Sequence, residues 1–152
     1  MLAGDTRLDD YTTVARPTLA EMFEKQEWQN WPLMGWDVAG TYWLRATWAG
    51  PVVRSEYGFQ VVNVVLTSSV RELSDNGRFS CDWGHPLLCS DGQFRSLKDV
   101  VAGGLSLQHG RGVGHNVMVK SVVERKERER LYSFSVPELG CFCHSYAIHG
   151  AA

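Results

Sequence analysis

A histidine that follows an aspartate by three residues is the feature of this sequence best suited to do chemistry. His85 follows Asp82 at that spacing and precedes Pro86. Histidine gains and loses protons near neutral pH, so it can act as a general acid or base. A carboxylate beside it would hold the imidazole and raise its pKa by charge proximity. By itself, a histidine before proline is more often an ordinary turn residue, so Asp82 and His85 are at this point only candidates for a proton-transfer site.

The two ends of the chain and a late strand complete a set of four segments. The chain begins with Met1–Thr6 and ends with Tyr146–Ala152, and the run Leu131–Val136 has the composition of a strand. The thioether of Met1 has no ionisable proton, so the first residue cannot form a nucleophilic thiolate.

In order and spacing, these segments resemble the four splicing blocks of an intein, the self-excising member of the hedgehog/intein (Hint) family. The resemblance implies the all-β, horseshoe-shaped Hint fold, in which both termini meet in a central cleft. It implies protein splicing by acyl shift, transesterification and asparagine cyclisation. The reaction needs no cofactor and no metal, and its substrate is the flanking extein polypeptide.

The resemblance also gives roles to individual residues. Met1 stands at the position of the N-terminal nucleophile. His85 would polarise the upstream peptide bond and protonate its leaving nitrogen, while Asp82 takes the place of the usual threonine. Ser133 stands where an aspartate often relays protons to both junctions. Two candidates replace the histidine expected in the last block: Cys143 and His144.

The C-terminal register follows from counting along that last block. Starting from Phe142, the terminal asparagine falls at Ala151 and the downstream nucleophile at Ala152. Alanine has no side-chain amide to close the succinimide ring, so both junctions are expected to be disabled. Gly150 then takes the place of the histidine that assists cyclisation. A register shifted by one residue instead makes His149 that helper and Gly150 the asparagine position.

The remaining pattern predicts short strands and one short helix. Thr18 and Glu21 have the spacing of a capping box, and apolar residues follow at helical intervals, which predicts a helix near residues 18–28. Residues 33–107 read as short strands separated by turns, among them Asp75–Gly77.

Two segments are predicted to lie at the surface. Three glycines within residues 109–114 predict a flexible loop, where a natural split or a deleted homing-endonuclease insertion would fall. The alternating charges of residues 124–130 predict a solvated hairpin or helix surface. Residues 1–152 are expected to form a single splicing domain without a homing-endonuclease domain.

Composition limits the class of protein. The 152 residues are 44% apolar and 21% charged, which fits one globular domain. A net charge of −2 gives no reason to expect nucleic-acid binding. No membrane span or signal sequence is found, so a cytoplasmic location is expected. The expected state is a monomer, with the flanking exteins as partners and a complementary intein fragment as a further partner if the chain is naturally split.

Other functions stay open at this point. Hedgehog-type autoprocessing needs no terminal asparagine, and some inteins begin splicing from an internal nucleophile. A non-catalytic zinc-binding or interaction module is a different class, and free thiols are the simpler interpretation of the cysteines. The candidate ligands of such a zinc site are cysteines and histidines: Cys81, His85, Cys89, Cys141, Cys143 and His144.

Overall fold

The structure is a computed structural model of the chain and describes residues 1–8, 17–25, 32–37, 42–47, 52–69, 72–73, 77–108, 117–136 and 140–150. The predicted loop at 109–114, most of the turn at Asp75–Gly77, Ala151 and Ala152 lie outside these ranges. Along the chain the elements are α1 (Leu19–Lys25), β1 (Pro32–Asp37), β2 (Tyr42–Thr47), β3 (Val53–Ser68), β4 (Arg78–Cys81), β5 (Pro86–Leu88), β6 (Phe94–Ser96), α2 (Leu97–Gly103), β7 (Val117–Ser133), β8 (Cys141–His144) and β9 (Ala147–Gly150).

The strands form three antiparallel sheets. β1 and β2 pair as a hairpin, β4, β3 and β7 form a three-stranded sheet in that order, and β6, β5, β9 and β8 form a four-stranded sheet. The pairing of β3 with β7 has three register shifts. Such irregularities bend long strands and increase their twist. The prediction of an all-β fold is confirmed.

Helix α1 confirms the predicted capping box and holds the N-terminal segment. The Glu21 amide donates to Thr18 Oγ1 at 3.2 Å, and the Thr18 amide donates to Glu21 Oε1 at 3.2 Å. The Thr18 hydroxyl also donates to Glu21 Oε1, at 3.0 Å, and the two hydrogen bonds that Thr18 donates to this carboxylate lower the pKa of Glu21. The next two amides, of Leu19 and Ala20, donate to the carbonyls of Thr6 and Gly4 at 3.0 Å each. The start of the helix therefore fixes the first residues of the chain.

Gly4 allows this close approach. A β-carbon at this position would lie 2.9 Å from Tyr132 Cε2 and 3.2 Å from Ala20 Cβ. Only glycine lets the N-terminal segment pass between β7 and α1 without displacing one of them.

The structure adds a second short helix, α2, which the sequence prediction did not include. Ser96 caps its start by accepting a hydrogen bond from the Asp99 amide at 3.2 Å, and Gly104 ends it in the left-handed region. Leu97 and Val100 point into the core. Within the described ranges, no helix is long and apolar enough to cross a membrane.

The charged run at 124–130 lies in the middle of β7, so the predicted hairpin or helix is wrong at this point. The interpretation as a solvated surface is correct, because most of these side chains are exposed. Arg125 and Glu129 are half-buried. Arg125 donates to Asn63 Oδ1 at 2.9 Å and to Asp5 Oδ2 at 3.1 Å. It therefore ties β7 to β3 and to the N-terminal segment.

Candidate active site

The N-terminal segment is inserted between the ends of two strands that are distant in sequence. Leu2 forms antiparallel bridges with Cys81 at the end of β4 and with Tyr132 near the end of β7. Leu2 and Tyr132 exchange both backbone hydrogen bonds, at 2.9 and 2.8 Å. Leu2 is 1% exposed. These contacts fix the position of the preceding residue, Met1.

The backbone nitrogen of Met1 lies against two candidate site residues. It donates to Asp82 Oδ1 at 2.9 Å and lies 3.0 Å from His85 Nδ1. In this structure the atom is the nitrogen of a charged amino group. In a chain extended at this end, the same atom would be the amide nitrogen of the bond to the preceding residue.

The other ring nitrogen of His85 contacts a second histidine. His85 Nε2 lies 2.7 Å from His149 Nδ1, and His149 Nε2 lies 3.0 Å from the carbonyl oxygen of His144. His85 is 2% exposed and His149 is fully buried. A buried chain of hydrogen-bonding groups therefore runs from the Met1 nitrogen into the four-stranded sheet.

Two aromatic rings hold His149. The Phe142 ring stacks on it with centroids 5.1 Å apart, and Phe79 meets it edge-on at 4.8 Å. In the sheet, His149 on β9 pairs with Leu87 on β5 and with Phe142 on β8. The register of β9 thus places the imidazole behind His85.

Both imidazoles are held in the neutral form. Burial lowers the pKa of His85 well below its ordinary value of 6.5, and the positive Met1 amino group and His149 lower it further. Burial is also the main cause that lowers the pKa of His149, followed by charge repulsion from His144. A buried imidazolium loses the solvation by water that would stabilise its charge.

The predicted support of His85 by Asp82 is wrong. The Asp82 carboxylate bonds to the Met1 nitrogen, and the His85 ring lies between that nitrogen and His149. The predicted rise of the His85 pKa is wrong as well, since its pKa is lowered. Two ring contacts and deep burial decide the protonation of His85, neither of which a three-residue spacing reveals.

Ser133 and Gly150 reach the same place as Met1 and His85. Together with neighbouring side chains they line a narrow cleft of about 10 Å³. That volume is about one water molecule. Ser133 is half-buried at the end of β7, and Gly150 ends β9. The candidate residues of the first, third and last segments therefore meet at one point.

Cys143 and His144 are placed differently. Cys143 packs in a separate apolar cluster with Leu88, Cys141 and Ile148, away from the cleft. His144 contributes its carbonyl to His149, while its side chain lies 3.2 Å from Ser145 Oγ. The structure thus brings the backbone of His144, but not the side chain of Cys143, into the hydrogen-bonded chain.

The cysteines are free and buried. Cys81 pairs with Leu2 beside Met1, but burial raises the pKa of its thiol, which makes it a poor nucleophile. Among the residues that the structure describes, no three histidine, cysteine or acidic side chains lie where they could share a metal ion. The zinc-module alternative is not favoured.

Comparison with solved structures identifies the fold. A DnaB intein from Synechocystis sp. PCC 6803 is similar with a TM-score of 0.77 and 15% identity, over 99% of this chain and 97% of that chain. The PabCDC21-1 intein is similar with a TM-score of 0.71 and 15% identity, over 99% and 98% of the two chains. The chain has the intein fold. An intein from a hyperthermophile matches it as well, with a TM-score of 0.65, 14% identity and 98% coverage of both chains.

The intein fold is thus kept at an identity too low for sequence comparison to detect. No family model matches the sequence, and no curated protein is significantly similar to it. The intein resemblance drawn from four short segments is confirmed as a resemblance of fold. The sequence analysis did not predict the contact between His85 and His149. The only signal for it in the sequence is a histidine within the apolar strand β9.

Gly150 is expected to tolerate no side chain. A β-carbon there would lie 2.7 Å from Pro86 Cγ and 3.1 Å from Pro86 Cβ, both in a stiff ring on β5. We expect Gly150→Ala to lower the free energy of unfolding by about 1–3 kcal/mol through overpacking. Urea denaturation measures this loss. Adding Pro86→Ala should recover part of it, and an unchanged stability of the single variant would contradict the crowding.

Proposed function

We propose that this chain is a splicing domain of the intein type whose junction positions carry residues that cannot react. The observation that carries the proposal is the contact of the Met1 nitrogen with His85 Nδ1 at 3.0 Å. A general acid must lie within about 2.6–3.2 Å of the atom it protonates. His85 meets this condition for the nitrogen of a bond between Met1 and a preceding residue.

The first step of such a reaction is an acyl shift. With a cysteine in place of Met1, the thiolate would attack the carbonyl carbon of the preceding residue, and the carbon–nitrogen bond would break. The released nitrogen takes a proton and becomes an amine, and the acyl group continues as a thioester. As the thiol attacks, its proton would pass to the Nδ1 lone pair of His85, and the resulting imidazolium would give that proton to the leaving nitrogen. Asp82 Oδ1 at 2.9 Å would hold the nitrogen in place.

The low pKa of His85 suits this role. At neutral pH the ring is unprotonated, so Nδ1 presents a lone pair toward the Met1 nitrogen. Once the thiol proton reaches Nδ1, the buried imidazolium is a strong acid that gives this proton readily to the leaving nitrogen. The Met1 thioether stops the sequence before this point, because it contains no proton to release.

The C-terminal half of the proposal concerns the end of β9. Gly150 lines the cleft beside Met1, and its crowding by Pro86 excludes an asparagine side chain on this backbone. This favours Ala151 over Gly150 as the position of the cyclising asparagine, with Ala152 as the position of the downstream nucleophile. The substrate would be the polypeptide that flanks the domain at both ends, and the domain would act as a single unit.

Restoring the reactive groups tests the proposal. A chain with Met1→Cys and an added N-terminal segment should release that segment as a thioester when an external thiol is supplied. Adding Ala151→Asn, a cysteine at position 152 and a C-terminal segment should give ligated flanks, which mass spectrometry detects under reducing conditions. The same chain with Met1 retained is the matched control and should release nothing. Absence of both thiol-induced release and ligation in the restored chain would overturn the proposal.

A further inference from the structure

The buried chain of hydrogen bonds has one self-consistent arrangement of protons. The carbonyl oxygen of His144 can only accept, so His149 Nε2 at 3.0 Å must carry a hydrogen and donate. A neutral His149 then has a bare Nδ1 that accepts. The facing nitrogen, His85 Nε2 at 2.7 Å, must therefore be the donor.

The other end of the chain requires the same arrangement. The positively charged Met1 amino group can only donate, and it lies 3.0 Å from His85 Nδ1. That nitrogen must accept and so carries no hydrogen. Each end separately gives His85 the tautomer with its hydrogen on Nε2.

We propose that His149 is a positioning residue that holds His85 in this tautomer, with the Nδ1 lone pair aimed at the residue-1 nitrogen. The inference rests on the proposed function and assigns His149 a part in the step at the N-terminal junction. It replaces the sequence-based hypothesis that His149 assists cyclisation at the C-terminal junction.

The geometry distinguishes positioning from proton transfer. A proton passed from His85 to His149 would have to leave through Nε2, and that nitrogen faces a backbone carbonyl, which does not take up a proton near neutral pH. The chain therefore ends at His144. His149 accepts a hydrogen bond from His85 Nε2 whether the His85 ring is neutral or protonated. The proton that His85 gains and loses is therefore the one on Nδ1.

The surroundings of His149 preserve its orientation. Stacking by Phe142 and the edge contact with Phe79 restrict the ring, and its Nε2 hydrogen bond sets which edge faces His85. Without this ring, His85 Nε2 would lose the acceptor that lies 2.7 Å from it. Both tautomers would then compete, and the one with Nδ1 protonated cannot accept a hydrogen bond from the junction nitrogen.

Nitrogen-15 NMR of the unmodified chain tests the inference directly. At neutral pH we expect His85 to show a protonated Nε2 and an unprotonated Nδ1. In a chain with an added N-terminal segment, the residue-1 nitrogen has a single hydrogen, which Asp82 can accept, so only His149 still fixes the tautomer. In that chain His149→Phe keeps an aromatic ring between Phe79 and Phe142 but lacks the acceptor, so it should give a mixture of tautomers. His149→Gln can accept from His85 and donate to the His144 carbonyl, so it should restore the single tautomer.

His144→Ala is the matched control, because the accepting group of His144 is its backbone carbonyl and remains in that variant. It should leave the His85 tautomer unchanged. A protonated Nδ1 in the unmodified chain, or a single tautomer retained in His149→Phe of the chain with the N-terminal segment, would overturn the inference. If His149→Phe does not fold, the unmodified chain and His149→Gln still decide the result.

Cleavage provides an independent readout. In the Met1→Cys chain with an N-terminal segment, His149→Phe should slow thiol-induced release about 10- to 100-fold, as loss of an orienting partner does elsewhere. His149→Gln should recover most of the rate. If the tautomer is as expected but no variant releases the segment, the proposed function fails while the positioning role stands. Release at full rate in His149→Phe would overturn the role in the reaction.

Discussion

Replacing His85 with alanine in the Met1→Cys chain with an N-terminal segment is expected to slow thiol-induced release of that segment by about 10²- to 10⁴-fold. Among the residues that the structure describes, His85 Nδ1 is the only side-chain nitrogen near the leaving group. It lies 3.0 Å from the Met1 nitrogen. Asp82 contacts the same nitrogen at 2.9 Å, but as a carboxylate it carries no proton to donate. Without this acid, the nitrogen would have to leave as an anion, which is a poor leaving group. Single-turnover release, followed by mass spectrometry, measures the rate.

Two controls separate loss of chemistry from loss of structure. Ser90→Ala changes an exposed residue in the turn after β5 and should keep the full rate. His85→Gln keeps a donor toward His149 but supplies no acid, so it should be nearly as slow as alanine while remaining folded. A rate within a few-fold of the parent in both His85 variants would show that the nitrogen departs by another route.

Acidification is expected to destabilise the unmodified fold through the two buried histidines. The pKa values of His85 and His149 lie well below 6.5 in the folded chain, mainly because both rings are buried. An unfolded chain binds a proton at each ring as the pH falls through about 6.5, whereas the folded chain does not. Stability is therefore full above that pH and is lost below it. The pair should remove about 2 kcal/mol of unfolding free energy between pH 6.5 and 5.5.

Urea denaturation at the two pH values measures this loss, provided the dependence on urea concentration stays constant. The groups that face the pair are the Met1 amino group, Asp82 and His144. His149→Phe removes one of the two titrating rings and should reduce the acid effect by about half. Equal stability at both pH values would mean that the two histidines take up protons in the folded chain as readily as in the unfolded chain.

Local signals in the sequence predicted local structure well. Thr18 and Glu21 predicted the start of α1 because a capping box is complete within four residues. Ser96 caps α2 in the same way, but that helix has only seven residues and its apolar pattern is short. The intein resemblance predicted that distant segments meet, and Met1, His85, Ser133 and Gly150 do line one cleft.

Features that depend on pairing between distant strands could not be predicted from local patterns in the sequence. The charges of residues 124–130 are typical of helices and solvated turns, yet pairing with β3 makes them part of a strand. His149 faces His85 because β9 pairs with β5 at Leu87, and a shift of one residue would turn the ring to the opposite face. The contacts of Asp82 and His85 with the Met1 nitrogen likewise depend on the pairing of Leu2 with two distant strands.

The double bridge at Leu2 links the timing of any cleavage to the synthesis of the chain. Leu2 is joined to Cys81 on one side and to Tyr132, 130 residues further along, on the other. A ribosome adds about 5–20 residues per second, so the N-terminal segment waits for β7 before its second partner exists. Until β7 has been made, the N-terminal segment therefore has only one of its two bridging partners. Any reaction at the Met1 nitrogen that depends on this double bridge would have to follow the synthesis of β7.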